Sequence, residues 1–124
     1  ELERMHRLKT GALLQASVMM GATCAEVGAG QLCHLSDYGR HLGLAFQVVD
    51  DVLDVVADTQ TLGKTAGKDA ESDKPTFVSL LGLQGAQSYA SALIDQAHAA
   101  LAASQLPNTA ALHALAELVG GRTH

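Results

Sequence analysis

Apolar residues recur at three- and four-residue steps from the start of the chain. Leu2, Met5, Leu8, Ala12, Ala16 and Met19 mark one face of a helix over about Leu2–Gly21. Gly21 and the run Gly28-Ala29-Gly30 interrupt that pattern, with room for a short helix between them. A long helix is expected from about Gln31 to Ala57. Asp58 to Lys74 is polar, carries Gly63 and Gly67 and mixes its charges, so it reads as a loop within one unit. Pro75 suits the first turn of the following helix, where a missing N–H is no loss. Helices are then expected over about Thr76–Leu83, Gly85–Ser104 and Thr109–Val119, with Gly120-Gly121 ending the last. No internal repeat is visible, and alanine enrichment is the only compositional bias.

Composition sharpens this all-helical expectation. The 124 residues suffice for one domain or a piece of a larger one. Apolar residues make up 48% but aromatics only 3%, and Trp is absent, so the core must be Ala, Leu and Val. Such a core favours closely packed helices over a sheet sandwich. The net charge of −5 argues against a general nucleic-acid binder, and the chain is too apolar for disorder. Cys24 and Cys33 are too few for a disulfide scaffold or a zinc site, and read as buried thiols in a reducing, cytoplasmic setting. No uninterrupted apolar run reaches the ~20 residues of a membrane span. The chain begins at Glu1, and Glu1–Lys9 reads as the middle of a helix, so further sequence is expected upstream.

The informative segment is Leu42 to Val56. Apolar residues surround this helix, which marks it as buried, yet Asp50, Asp51 and Asp54 fall within five positions. Asp50 and Asp54 are four apart and share a face, which Gln47 and Gly43 continue towards the N-terminus. Asp51 lies about 100° away, on the flank. Like charges at this spacing repel, and burial worsens the repulsion. A divalent cation would compensate, and magnesium is the best fit, since it takes one or two carboxylates together with waters and phosphate oxygens. An acidic stripe facing water is the competing reading.

Two stretches could meet a phosphate. His6-Arg7-Leu8-Lys9-Thr10-Gly11 places cations and a hydroxyl before a small-residue helix, although it also reads as a solvated face. Leu62-Gly63-Lys64-Thr65-Ala66-Gly67-Lys68-Asp69 sets two lysines in a glycine-bearing loop, and Lys74 follows it. The P-loop spacing is absent. The six histidines form no metal motif and read as surface or core residues. No nucleophile elbow occurs, and neither cysteine has an evident partner base.

Phe46-Gln47-Val48-Val49-Asp50-Asp51-Val52-Leu53-Asp54 resembles the second aspartate-rich motif of the trans-polyprenyl diphosphate synthases. His6–Gly11 is similar to that family's upstream Lys-Thr segment. Leu62-Gly63-Lys64, Gly67, Asp69 and Lys74 resemble its lysine-bearing stretch downstream. The three blocks occur in the family's order, and the likeness runs along essentially the whole chain. It is nearest to the bacterial short-chain members that make farnesyl diphosphate.

The resemblance implies an all-α fold of antiparallel helices around a central cavity, of which residues 1–124 would be the C-terminal portion. It implies Mg2+ as cofactor, an allylic diphosphate and isopentenyl diphosphate as substrates, 1'-4 chain elongation as the reaction, and a homodimer. Asp50 would ligate the metal directly, Asp54 directly or through water, and Asp51 would support the metal's water shell. Lys9 and Lys64 would contact the allylic diphosphate, Thr10 and Gln47 would line the cavity near the cationic carbon, and Lys74 would be a further contact. Arg122 lies where members often carry a basic tail that closes the site, and it reads equally as a frayed solvated end. The family's first aspartate-rich motif and its isopentenyl diphosphate site are absent from this chain. Hence a missing N-terminal half, an inactive isolated chain and an exposed apolar cavity wall are expected. Two alternatives remain open: a non-catalytic partner subunit of a heteromeric synthase, against which the intact aspartates argue, and a terpene cyclase, whose second metal motif typically mixes Asn, Ser and Glu.

Overall fold

A computed structural model describes the backbone of residues 2–61 and 75–122, and the side chains of residues 9–57 and 75–122. The described residues form four helices: α1 (Leu2–Cys24), α2 (Ala29–Thr61), α3 (Phe77–Ser104) and α4 (Ala110–Gly121). No strand occurs among them, as the alanine- and leucine-rich composition leads one to expect.

Helix α2 is the centre of the bundle and packs against the other three. Its Tyr38, Leu42, Ala45, Val49 and Val52, spaced by three and four, are fully buried, as is Val48 beside them. Helix α1 runs antiparallel to α2. Gly11 meets Gly43, Gln15 lies against Gly39, and Gln15 Nε2 donates to Ser36 Oγ at 3.2 Å. Helix α3 is antiparallel to α2 on the other side, with Asp51 at its first turn and Gln31 near its end, where Gln31 Nε2 reaches the Ser104 carbonyl at 3.5 Å. Its buried Ala86, Ala90, Leu93, Ile94, Ala97 and Leu101 supply the facing side of the core. Small alanines at these positions let the helix axes approach closely, which is how a core with few aromatics can be filled.

The local signals act mostly as expected, with several corrections. Helix α1 continues through Gly21 to Cys24, so no separate short helix follows it, and the chain turns at Glu26, whose φ is 57°. Helix α2 starts at Ala29 and extends to Thr61, so the first four residues of the expected loop are helical. Pro75 does not occupy the first turn of α3. Thr76 is the N-cap instead, its Oγ1 accepting from Ser79 N at 3.0 Å while Thr76 N donates to Ser79 Oγ at 2.8 Å. The break expected near Leu83 falls at Gly82, whose φ of 78° and ψ of 165° leave the helical region inside α3. Side-chain-bearing residues do not reach such a conformation without strain, so glycine sets the position of this kink. The two cysteines are both exposed, not buried: Cys24 ends α1 and Cys33 lies on the outer side of the first turns of α2.

Candidate active site

The stripe of α2 that carries Gly43, Phe46, Gln47, Asp50 and Asp54 lies beside the core stripe, and α1 crosses it. The crossing is tight. A Cβ on Gly43 would lie 2.9 Å from the Gly11 carbonyl oxygen and 3.1 Å from Gly11 Cα. A Cβ on Gly11 would lie 2.8 Å from Gln47 Nε2. Glycine on both helices therefore lets the backbones touch, and this sets Gly11, the residue after Thr10, against the turn of α2 that holds Gln47. Two of the three blocks singled out in the sequence thus meet. Lys9 is exposed, while Thr10 and Gln47 are half-buried. The third block, with Lys64 and Lys74, lies outside the described residues.

The three aspartates separate into two environments. Asp50 is half-buried and Asp54, one turn further, is exposed. Asp51 is only 3% exposed, and its Oδ2 accepts the Phe77 backbone N–H at 2.9 Å. That N–H is one of the first-turn donors of α3 that have no partner within their own helix, so Asp51 acts as a second cap beside Thr76. A carboxylate at a helix N-terminus is also favoured by the helix dipole. The expectation that put Asp51 in a metal's water shell gains no support from this geometry. The buried capping role accounts for an aspartate on an otherwise apolar flank.

Asp50 already faces a cation. Arg122, the C-cap of α4, donates from Nη2 to Asp50 Oδ1 at 3.0 Å, and its guanidinium carbon sits 4.9 Å from the centre of the Phe46 ring. Arg122 is therefore not a frayed end. Phe46 and Asp50 are four apart on α2, so one guanidinium spans both. The guanidinium marks the oxygen as cation-seeking, and Asp50 with Asp54 offers hard oxygen donors on one face. These residues fit Mg2+ as partial ligands that would need waters and substrate oxygens to complete the shell. Among the described residues, no group of three or more His, Cys, Asp or Glu side chains converges as a metal site.

One cluster escaped the sequence reading. His98 on α3 and His113 on α4 meet with their Nδ1 atoms 2.5 Å apart, and His98 Nε2 lies 2.7 Å from Glu117 Oε2. The ring centres are 4.8 Å apart and the planes differ by 11°, so the rings are close to parallel and meet through their Nδ1 atoms. The His113–Glu117 spacing of four was visible in the sequence, but the approach of His98 depends on the α3–α4 turn. This cluster and the Tyr38 hydroxyl, which donates to the Leu112 carbonyl at 2.7 Å, fasten α4 to the bundle. Tyr38 is fully buried, and burial pushes its phenol up from 10.0 to about 12.

Comparison with known proteins settles the family. The Polyprenyl synthetase family model matches residues 1–114. The chain belongs to the polyprenyl synthetase family. It is 50% identical over 121 residues to the farnesyl diphosphate synthase of Escherichia coli, covering 95% of this chain and 40% of that protein. It is 43% identical over 121 residues to a chloroplastic geranylgeranyl pyrophosphate synthase of Catharanthus roseus, covering 98% of this chain and 34% of that protein. A crystal structure from Marinomonas sp. MED121, provisionally described as a farnesyl-diphosphate synthase, superposes with a TM-score of 0.70 at 38% identity. That match covers 95% of this chain and 38% of the other. The chain thus spans between a third and two fifths of the length of the curated relatives that it matches. The likeness to the Marinomonas structure places the four helices within the all-α fold of the family.

Proposed function

We propose that the protein containing this chain is a prenyltransferase that condenses an allylic diphosphate with isopentenyl diphosphate by 1'-4 chain elongation. The observation that carries the reading is the α1–α2 crossing. In a polyprenyl synthetase chain, Gly11 against Gly43 sets the turn of α1 that follows Lys9 and Thr10 against the turn of α2 that holds Gln47, and this supports assigning the two blocks to one site. Farnesyl diphosphate is the proposed product, in keeping with the higher identity to the Escherichia coli enzyme.

The residues divide the work by charge. Asp50 and Asp54 hold Mg2+, with Asp54 direct or through water, and the metal when bound supplies positive charge at the diphosphate oxygens. Lys9 and Lys64 bind the allylic diphosphate and stabilise the negative charge that grows on it as its C–O bond breaks. Lys74 is a further contact on the same group. Gln47 and Thr10 present polar oxygens near the allylic carbon as it becomes cationic. The π-bond of isopentenyl diphosphate attacks that carbon, and loss of a proton restores a double bond. The apolar helix faces exclude water that would otherwise capture the cation.

The remaining ligands and the isopentenyl diphosphate site belong, in this reading, to an N-terminal half outside this chain. Two features support that. Asp50 and Asp54 supply only part of a magnesium shell, the rest of which is read as water, substrate oxygens and carboxylates from that half. Leu13 and Met20 on α1 and Leu80, Leu81 and Leu83 on α3 are exposed, and a shallow cleft of about 390 Å³ lined by Phe77, Leu80, Leu81, Gly85 and Tyr89 opens on α3. The complete enzyme is read as a cytoplasmic homodimer, and the isolated chain as inactive. No helix among the described residues is long and apolar enough to cross a membrane.

The test is Asp50→Ala in the complete protein. Turnover of geranyl and isopentenyl diphosphates should fall by orders of magnitude while the helical signal and melting temperature hold. Activity within a few-fold of wild type would remove Asp50 from the metal shell.

A further inference from the structure

The body of α4 is fixed to the bundle, and its last residue is not. Tyr38 holds the Leu112 carbonyl, His98 holds His113 and Glu117, and Gly120 packs so closely on Ile94 that a Cβ there would lie 3.0 Å from Ile94 Cγ1. Beyond that contact, the backbone N–H of Arg122 reaches only the Val119 carbonyl, at a long 3.4 Å. What holds the Arg122 side chain is its ion pair with Asp50 Oδ1 and its place over the Phe46 ring. The side chains of the pair are 35% and 32% exposed, so the pair is partly shielded but still open to exchange with ions in water.

We propose that Arg122 is the resident counter-ion of Asp50, that a divalent cation taking up Oδ1 of this carboxylate displaces the guanidinium, and that the last turn of α4 opens as it does so. The inference rests on the reading of Asp50 as a metal ligand. Its physical basis is competition for Oδ1, the carboxylate oxygen that the guanidinium already holds. A magnesium ion sits about 2.1 Å from a carboxylate oxygen. A guanidinium nitrogen 3.0 Å from the same oxygen would then face a divalent charge within a few ångströms. Two cations so close repel each other, and only one of them is anchored by further ligands. The weak link at Arg122 N and the fixed Gly120 contact confine the movement to the terminal turn. Before the metal arrives, the pair shields Asp50 from the like charge of Asp54, so the arginine also lowers the cost of keeping two aspartates one turn apart. The site therefore carries a built-in threshold for cation occupancy, set by how tightly Arg122 is held.

The test compares Mg2+ binding by calorimetry in the complete protein, with a non-hydrolysable allylic diphosphate analogue present, for wild type, Arg122→Gln, Arg122→Lys and Asp50→Ala. Amide hydrogen exchange at Val119–Arg122 is followed with and without Mg2+. Arg122→Gln should bind Mg2+ about two- to tenfold more tightly, the scale of losing a partly exposed ion pair and its ring contact. Arg122→Lys, which keeps the charge but loses the planar fork, should fall between. In wild type, Mg2+ should speed exchange at the terminal turn, a response that a mere change in the surrounding electrostatic field would not produce. Unchanged or weaker Mg2+ affinity in Arg122→Gln, or a terminal turn indifferent to Mg2+, overturns the displacement while leaving Asp50 as a ligand if Asp50→Ala still abolishes binding. Undiminished Mg2+ binding by Asp50→Ala overturns the metal reading itself, and the displacement with it.

Discussion

A glycine-to-alanine series tests whether α1 and α2 touch where the site is assembled. A Cβ at Gly43 would face three backbone atoms of Gly11, the nearest at 2.9 Å, and backbone cannot rotate aside. The helices must separate by roughly half an ångström, and overpacking of this kind typically costs about 1–3 kcal/mol. Alanine also gains about 1 kcal/mol of helix propensity over glycine, which masks part of the loss. Gly21 supplies the correction: it too lies inside a helix, α1, and a Cβ there meets nothing within 4 Å. Gly21→Ala should therefore stabilise by up to about 1 kcal/mol. The difference between Gly43→Ala and Gly21→Ala isolates the contact, at about 1–3 kcal/mol. Gly11→Ala separates fold from site, because its Cβ would strike Gln47 Nε2, the end of a side chain that can turn away. It should resemble Gly21→Ala in stability yet lose turnover, on the order of ten- to a hundredfold, because Gln47 is displaced. Urea unfolding followed by circular dichroism gives the stabilities, and steady-state assays of the complete protein give the rates. If Gly43→Ala gains as much stability as Gly21→Ala, the helices do not meet at Gly11–Gly43 and the assembly argued from that crossing is wrong.

Asp51→Ala should lower stability by about 1–3 kcal/mol, the cost of a lost helix cap and an unpaired buried N–H, while Asp51→Asn keeps an acceptor for Phe77 and should lose much less; a stable Asp51→Ala variant that no longer binds Mg2+ would instead move Asp51 into the metal site. The raised phenol of Tyr38 makes the folded state favour the neutral form. Its contribution should be intact below the unfolded value of 10.0 and decline as pH rises towards about 12. It reaches at most about 3 kcal/mol, and Tyr38→Phe should remove that part of the alkaline dependence in pH-dependent unfolding. An unfolding curve with the same alkaline slope in Tyr38→Phe would show that other groups set it.

The sequence by itself determined the helical class, the central place of Leu42–Val56 and the coincidence of Gly43, Gln47, Asp50 and Asp54 on one face. All of these follow from a local periodicity of 3.6 residues, which needs no knowledge of neighbours. It also held the family likeness, because three short blocks in a fixed order survive in linear text. Only the tertiary structure decided what each polar group on α2 faces. Asp50 and Asp51 are adjacent in sequence, yet one meets Arg122 and the other caps α3, because consecutive positions on a helix point about 100° apart towards different neighbours. The cysteines looked buried by type and are exposed by position. His98 and His113, fifteen residues apart, come together because α3 and α4 fold back on each other. The partnership of Arg122 with Asp50 spans 72 residues and rests on α4 running parallel to α2, a consequence of two chain reversals that no local pattern encodes.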